Sequence, residues 1–319
     1  MKNIKDQTEF VWLATESAPA NYPMQIMRGS SFIYHGSKTD GLAIPSGRTL
    51  YRGWGSAISS HPVGKSLRPL PDKLEITFFS YWDDALYSGR FDLPYDKILS
   101  LFREGVARDK KNPIYRYLMV GVAPGGTLAV WVTGKQSTVE VFFGKAQEKN
   151  IEWLEPVHYP EAKRASFVQY EIAESVKPDI ILAIRKNGVP YNQWAQYRTQ
   201  YDWMPIFLGR GQPKATDVIY FNGERTSLLI LPSDNKTKQK HPVPRRFAFH
   251  LKMPGQMEKK LYIINFFETE ILSVFATLCI HQAQLRLEIS PGLLRSDTKI
   301  RLYNDTESID LTKWKLDIW

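Results

Sequence analysis

The feature that most constrains this 319-residue chain is a repeat within itself. Shifted by 173 residues, "PDKLEITF" at 71–78 falls on "PRRFAFHL" at 244–251, so that Leu74, Ile76 and Phe78 overlie Phe247, Phe249 and Leu251. Both runs alternate inward apolar with outward positions, the period-two pattern of a strand covered on one face. At the same shift "DKILSLF" at 96–102 falls on "TEILSVF" at 269–275. Ile98, Leu99, Phe102 and Val106, and in the second copy Ile271, Leu272, Phe275 and Cys279, suit one face of a short helix. Asp92 ahead of Pro94 marks the start of the first helix, and Asn265 and Glu268 have capping-box spacing for the second. Beyond the helix the shift is 167: Leu118, Val120 and Val122 meet Leu285, Leu287 and Ile289, and Pro124-Gly125 meets Pro291-Gly292. After that turn the shift is 170, and Val139 and Val141 meet Ile309 and Leu311. Short insertions at turns are what diverging copies tolerate. Period-two runs also arise by chance, but five features in one order at nearly constant spacing favour duplication.

The expected fold is therefore α+β, mostly β: two related antiparallel β-sheet modules, each with a short helix. Each module reads strand, strand, helix, three-stranded meander. The first is expected over 1–155 and the second over 165–319, with a linker at about 147–166, where charge and proline cluster in "QEKNIEWLEPVHYPEAKRAS". A further helix is predicted over 189–203, with Pro190 near its start and Trp194, Tyr197 and Tyr201 on one face, a stripe of core type.

Composition excludes several classes. With 43% hydrophobic, 13% aromatic and 24% charged residues the chain is globular, not disordered. Apolar runs such as "DIILAI" are too short to cross a bilayer. Met1 is followed by "KNIKDQTEF", with no apolar signal core, which reads as a cytosolic chain or as a mature form without its export signal. The single Cys279 excludes an internal disulfide and a multi-cysteine metal site, and its apolar surroundings predict a buried, inert thiol. The net charge of +9 admits nucleic acid, a membrane surface or an acidic protein as partner. Its densest run, "NKTKQKHPVPRR" at 235–246, has neither interleaved aromatics nor helical periodicity. It reads as a solvated loop first, an electrostatic contribution to partner binding second, and a nucleic-acid surface third.

No catalytic constellation emerges. "RGWGSAISS" has its glycines and serines in the wrong order for a nucleophile elbow, and "VGKS" at 63–66 lacks the earlier glycine of a phosphate loop. The histidines, His35, His61, His158, His241, His250 and His281, stand singly, without metal-ligand spacing, and His250 takes an outward strand position. Asp83 and Asp84 are adjacent, so on a strand they point to opposite faces; in a hairpin they are turn residues. The glycines of "YRGWGSA" at 51–57 permit a tight bend around Trp54 or, less simply, cradle an anion. The expectation is no catalytic residue, no metal and no cofactor.

Several stretches resemble the bacterial putative lipoproteins grouped as domain of unknown function 2931: "APANYP" (18–23), "RGWG" (52–55), "FDLP" (91–94), "VGVAPGGTLAVWVTG" (120–134), "GVPYNQWAQYRTQYDW" (188–203) and "YFNGE" (220–224). The similarity spans most of 10–225 and rests on turns and aromatic residues, not on chemistry. It implies an exported, lipid-anchored protein of the periplasm, although this chain shows neither signal nor lipobox cysteine; a chain beginning just after the anchor explains that departure. The association of such proteins with type VI secretion phospholipase effectors implies an immunity protein whose partner is a cognate phospholipase, with no nucleic acid and with the membrane reached only through the lipid anchor.

On that reading Trp54, Tyr81 and Trp82, on loops between expected strands, are the aromatic contacts, and Arg52 and Arg90 meet acidic groups of the partner; Asp83 joins them. Each aromatic also suits the core. Two other classes stay open: an envelope module holding a lipid, glycan or assembly partner, signalled by an apolar cavity, and an unrecognised enzyme, signalled by converging titratable groups.

Overall fold

The computed structural model describes residues 4–60, 66–109, 111, 113–149, 163–208, 213, 215–229, 240–252, 257–279, 284–292 and 295–319. Its chain falls into two compact units, Met1–Trp194 and Ala195–Trp319. Of the expected linker, 150–162 lie outside the described residues, as do His61, His158 and His281.

In the first unit Pro71–Ser80 and Ala85–Asp92 form an antiparallel hairpin, with Leu74 opposite Phe91 and Ser80 opposite Ala85. Helix α1 (Tyr95–Arg108) follows and buries Ile98, Leu99 and Phe102. The meander Tyr115–Ala123, Thr127–Gly134 and Thr138–Lys145 comes next, its first turn being Pro124-Gly125-Gly126. The unit is completed by its N-terminal segment. Glu9–Val11 pairs with Leu67–Pro69, and Leu13–Ser17 then runs parallel to Tyr115–Ala123. Between these two short strands Trp12 is fully buried, and its Nε1 donates to the Pro69 carbonyl at 3.0 Å. Ser31–Tyr34 pairs with the other side of Pro71–Ser80, Phe32 opposite Leu74, with a bulge between Ile33 and Tyr34. Helices α2 (Arg164–Ser175) and α3 (Pro178–Asn187) belong to this unit and pack Val168 and Ile172 against Met27, Phe79, Tyr81 and Leu86. The single turn α4 (Gln193–Gln196) places buried Trp194 at the end of the unit.

The second unit repeats this plan. Pro244–Leu251 and Lys260–Phe266 form the hairpin, α5 (Glu268–Leu278) buries Ile271, Val274, Phe275 and Leu278, and Leu285–Ser290, Lys299–Tyr303 and Ser308–Asp310 form the meander. The start of Gln200–Phe207 pairs with Lys240–Pro242, and its remainder runs parallel to Leu285–Ser290. The indole here is Trp203, 1% exposed, whose Nε1 donates to the Pro242 carbonyl at 3.1 Å. Ala215–Tyr220 pairs with Pro244–Leu251, Val218 opposite Phe247, with a bulge between Ile219 and Tyr220. Ring contacts agree as well. Trp12–Tyr34 and Phe10–Phe102 have centroids 6.4 and 5.4 Å apart; Trp203–Tyr220 and Tyr201–Phe275 have 6.5 and 5.4 Å. Shared strand order, bulge, indole hydrogen bond and ring pairs carry the duplication further than the sequence alignment did.

Five local expectations differ from the structure, one being Cys279, expected to be buried and found only partly buried. The module is not wholly antiparallel, because each N-terminal strand pairs in parallel with the strand after the helix. The helix expected over 189–203 is one turn; Trp194 and Tyr197 are buried there, but Tyr201 sits, partly buried, in the strand Gln200–Phe207. The spacing of Asn265 and Glu268 does not make a capping box: the residue at the helix N-cap is Phe267, and no side chain caps it. The basic run expected as a solvated loop is strand over Lys240–Pro242 and from Pro244 onward, with Pro242, Val243 and Pro244 all buried between its basic residues; 235–239 lie outside the described residues.

Replacing a buried indole by phenyl deletes a hydrogen bond, leaves a carbonyl unsatisfied and opens space. Trp12→Phe and Trp203→Phe are each expected to lower stability by about 2–4 kcal/mol in urea unfolding. A change below about 0.5 kcal/mol in either would remove the role assigned to that indole.

Candidate functional site

The hairpin of the first unit closes through a four-residue turn, Tyr81–Asp84, because Ser80 and Ala85 are already paired. Asp84 takes φ 49°, a left-handed conformation that aspartate accepts more readily than bulkier residues. The turn sends successive side chains in different directions, and each finds a fixed partner. Tyr81 goes inward, 1% exposed, and its hydroxyl donates to Gln25 Oε1 at 2.7 Å. The Trp82 Nε1 donates to the Asn21 carbonyl at 2.9 Å. Asp83 accepts from the Gly125 amide at 2.7 Å and the Tyr87 hydroxyl at 3.1 Å on Oδ2, and from the Tyr191 hydroxyl at 2.9 Å on Oδ1. Asp84 is held by Arg164 Nε at 2.7 Å, from the start of α2, and the same guanidinium lies over the Phe79 ring.

Asp83 thus ties the hairpin turn to the Pro-Gly-Gly turn and to the segment after α3. Those approaches require glycine. Gly125 and Gly126 have φ of 70° and 78°, and a Cβ on Gly126 would collide with the Ala146 carbonyl and the Tyr87 ring. Gly121 plays a different part: a Cβ there would lie 2.6 Å from the Trp131 ring and 3.0 Å from Trp54. Its absence lets Trp54 sit edge-on to Trp131 at 5.0 Å. Trp54 also meets Trp194 at 6.5 Å, and Trp194 meets Tyr22 at 5.5 Å. Gly53 bends the chain at φ 129°, and its amide donates to the Ala18 carbonyl at 2.9 Å. The glycines around Trp54 therefore serve the bend.

A groove of about 840 Å³ is lined, among others, by Trp82, Asp83, Tyr87, Gly125, Lys145 and Tyr191. Its two phenols are neutral donors. Burial first, then the hydrogen bond and charge of Asp83, push Tyr191 up to about 12; burial and the same carboxylate raise Tyr87 further. The arrangement offers fixed aromatic side chains, a carboxylate oriented by its own scaffold, and the exposed Lys145 and Glu148 in its lining. Among the described residues no group of three or more His, Cys, Asp or Glu side chains is placed to hold a metal.

The six contact residues expected from sequence are divided by the structure. Tyr81, Trp82 and Asp83 share the turn, with Tyr81 in the core. Trp54 is 4% exposed, packed against Trp131 and Trp194 and not on the surface. Arg52 is exposed beside Gly53. Arg90 pairs with Glu75 at 3.0 Å, away from the turn along the same strand. Sequence reasoning missed Tyr87, Gly125, Lys145 and Tyr191. Gly125 and Tyr191 lie within the quoted motif segments, and that shared membership was the signal.

The fold defines a duplicated, mostly β, α+β protein whose first unit carries a braced aromatic groove. The family described as Protein of unknown function (DUF2931) matches residues 1–192, and the chain belongs to it. That match ends two residues short of the boundary of the first unit, so the similarity seen in sequence over 193–225 lies outside it. No curated protein and no solved structure matches the chain. Among the described residues no helix is long and apolar enough to cross a membrane.

Two outcomes are expected from this bracing. A Tyr191→Phe variant should lose one tyrosinate absorbance step with a midpoint near pH 12. Because the folded pKa lies above the ordinary value of 10.0, the stabilisation from this contact is full below pH 10 and is lost as pH rises toward 12. A midpoint near 10 would show that Asp83 does not hold the phenol. Gly126→Ala should cost about 3 kcal/mol in unfolding free energy, from the left-handed backbone and the collision with Ala146.

Proposed function

We propose that this chain is a non-enzymatic immunity protein of the periplasm. It binds a cognate phospholipase effector of a type VI secretion system and blocks its active-site entrance or membrane-docking face. The observation that supports this most is the braced groove of the first unit. Trp82 and Tyr191 have their polar ends committed to Asn21 and Asp83, so their rings present contact area already ordered, while buried Tyr87 holds Asp83 from within. Pre-ordered tyrosine and tryptophan side chains are the usual energetic centres of tight protein interfaces, since little rotamer freedom remains to be lost on binding. Tyr191 is half exposed and Lys145 stands at the rim, so aromatic contact and charge are offered together. Trp54 and Tyr81 are buried and belong to the packing of the unit, not to the contact surface. The net charge of +9 speeds encounter with an acidic effector surface. An inhibitory contact of this kind covers about 1,600 Å² in total, which the groove and its surroundings would share with the partner.

The test is to mix the chain with the product of the neighbouring gene and follow complex formation and lipid hydrolysis together. The expected result is an equimolar complex without hydrolysis. A Trp82→Ala variant that retains the wild-type melting temperature should bind at least about ten-fold more weakly. Equimolar mixing that yields no complex and full lipase activity would refute the proposal.

A further inference from the structure

The hairpin loop that carries Asp83 in the first unit has a counterpart in the second, between Pro244–Leu251 and Lys260–Phe266. Its described residues are of opposite character. Lys252, Lys259 and Lys260 flank it, all exposed, and among the described residues none of the three is in an ion pair. Met257 at its tip is 93% exposed. Trp319, 77% exposed, is brought to the same end by reciprocal backbone hydrogen bonds with Leu261, each 3.0 Å. A groove of about 440 Å³ opens beside them, with Ala248, Phe249 and Leu251 on its walls and His250, Lys252 and Lys259 also lining it. Its one acid, Asp217, is held by Arg225 through Nε and Nη2 at 2.6–3.1 Å, and the remaining acid at the tip is Glu258.

Exposed methionine and tryptophan are costly in water, and beside three lysines they do not serve solubility alone. The combination matches the boundary between headgroups and acyl chains of a bilayer. Indole rings favour that depth, thioethers enter apolar surroundings, and lysines at the same level meet lipid phosphates. We propose that this end of the second unit docks on an anionic phospholipid surface, with Met257 and Trp319 entering the headgroup layer and Lys252, Lys259 and Lys260 contacting phosphates. The contact is independent of any covalent lipid and of the effector-binding reading, and it fixes which end of the second unit faces the membrane.

The experiment is co-sedimentation of the whole chain with vesicles of phosphatidylcholine, with and without phosphatidylglycerol. Binding should appear only with the anionic lipid and weaken as salt rises. The triple variant Lys252→Glu, Lys259→Glu, Lys260→Glu should weaken partitioning by about a hundred-fold or more, since each lysine near an anionic leaflet is worth about five-fold. A control with the same change in net charge, Lys38→Glu, Lys177→Glu, Lys186→Glu, uses exposed lysines of the first unit and should retain most of the binding. Met257→Ser with Trp319→Ser should lower binding at unchanged melting temperature. Equal sedimentation with both vesicle types, equal losses in the two triple variants, or no sedimentation at all would overturn the proposal; the last would leave these cations to an acidic protein.

Discussion

A buried indole N–H needs an acceptor, and in each unit of this protein that need joins the N-terminal strand to the hairpin. Trp12 reaches the Pro69 carbonyl and Trp203 the Pro242 carbonyl, and in both cases the acceptor lies just ahead of the hairpin's first strand. The strand thus held then pairs in parallel with the strand after the helix, a contact that no tight turn can create. The indole adds a contact outside the ladder that holds the same strand. In the first unit the strand so placed supports Tyr115–Ala123, and through it the Pro-Gly-Gly turn whose Gly125 amide meets Asp83.

Duplication explains how one scaffold presents two kinds of surface. The loop of the repeated hairpin is four residues in the first unit, where it packs downward and recruits Gly125, Tyr87, Tyr191 and Arg164 as braces. In the second unit the connection from Leu251 to Lys260 is longer and carries lysines and an exposed methionine. Core positions such as Phe102 and Phe275 keep their partners, whereas this loop has diverged in length and sign. Packing density leaves the core little room for change, while a loop over a stable hairpin is free to be replaced. The DUF2931 match follows the same line, covering the unit with the braced groove.

What the chain discloses in one dimension follows from which contacts are local. The strand at 71–78 and the helix at 95–108 were legible twice over, because their apolar periods repeat at 244–251 and 268–278 with one shift. Trp12 and Trp203 escaped notice because different lengths of chain separate them from their hairpins, which breaks the constant spacing a self-comparison relies on. The α2–α3 pair has no copy among the described residues and only a thin apolar stripe, Val168, Ile172 and Ile184, so no period announced it. Asp83 was visible as a turn residue beside Trp82, but its hydrogen bonds come from residues 4, 42 and 108 positions away. Nothing local separates such a carboxylate from an ordinary turn aspartate. Trp54 and Tyr81 were noticed for their size, and size serves a core as readily as a contact surface.

The most direct measurement of the account's central claim is hydrogen exchange at the indole Nε1–H groups of Trp12 and Trp203 in the intact protein, assigned by NMR with the single phenylalanine variants. Two copies of one scaffold, each closed by its own indole, predict that both protons are strongly protected and that each exchanges only when its unit unfolds. Exchange of either at the rate of a solvent-exposed indole would contradict a shared architecture and, with it, the common hairpin loop on which both surfaces are built.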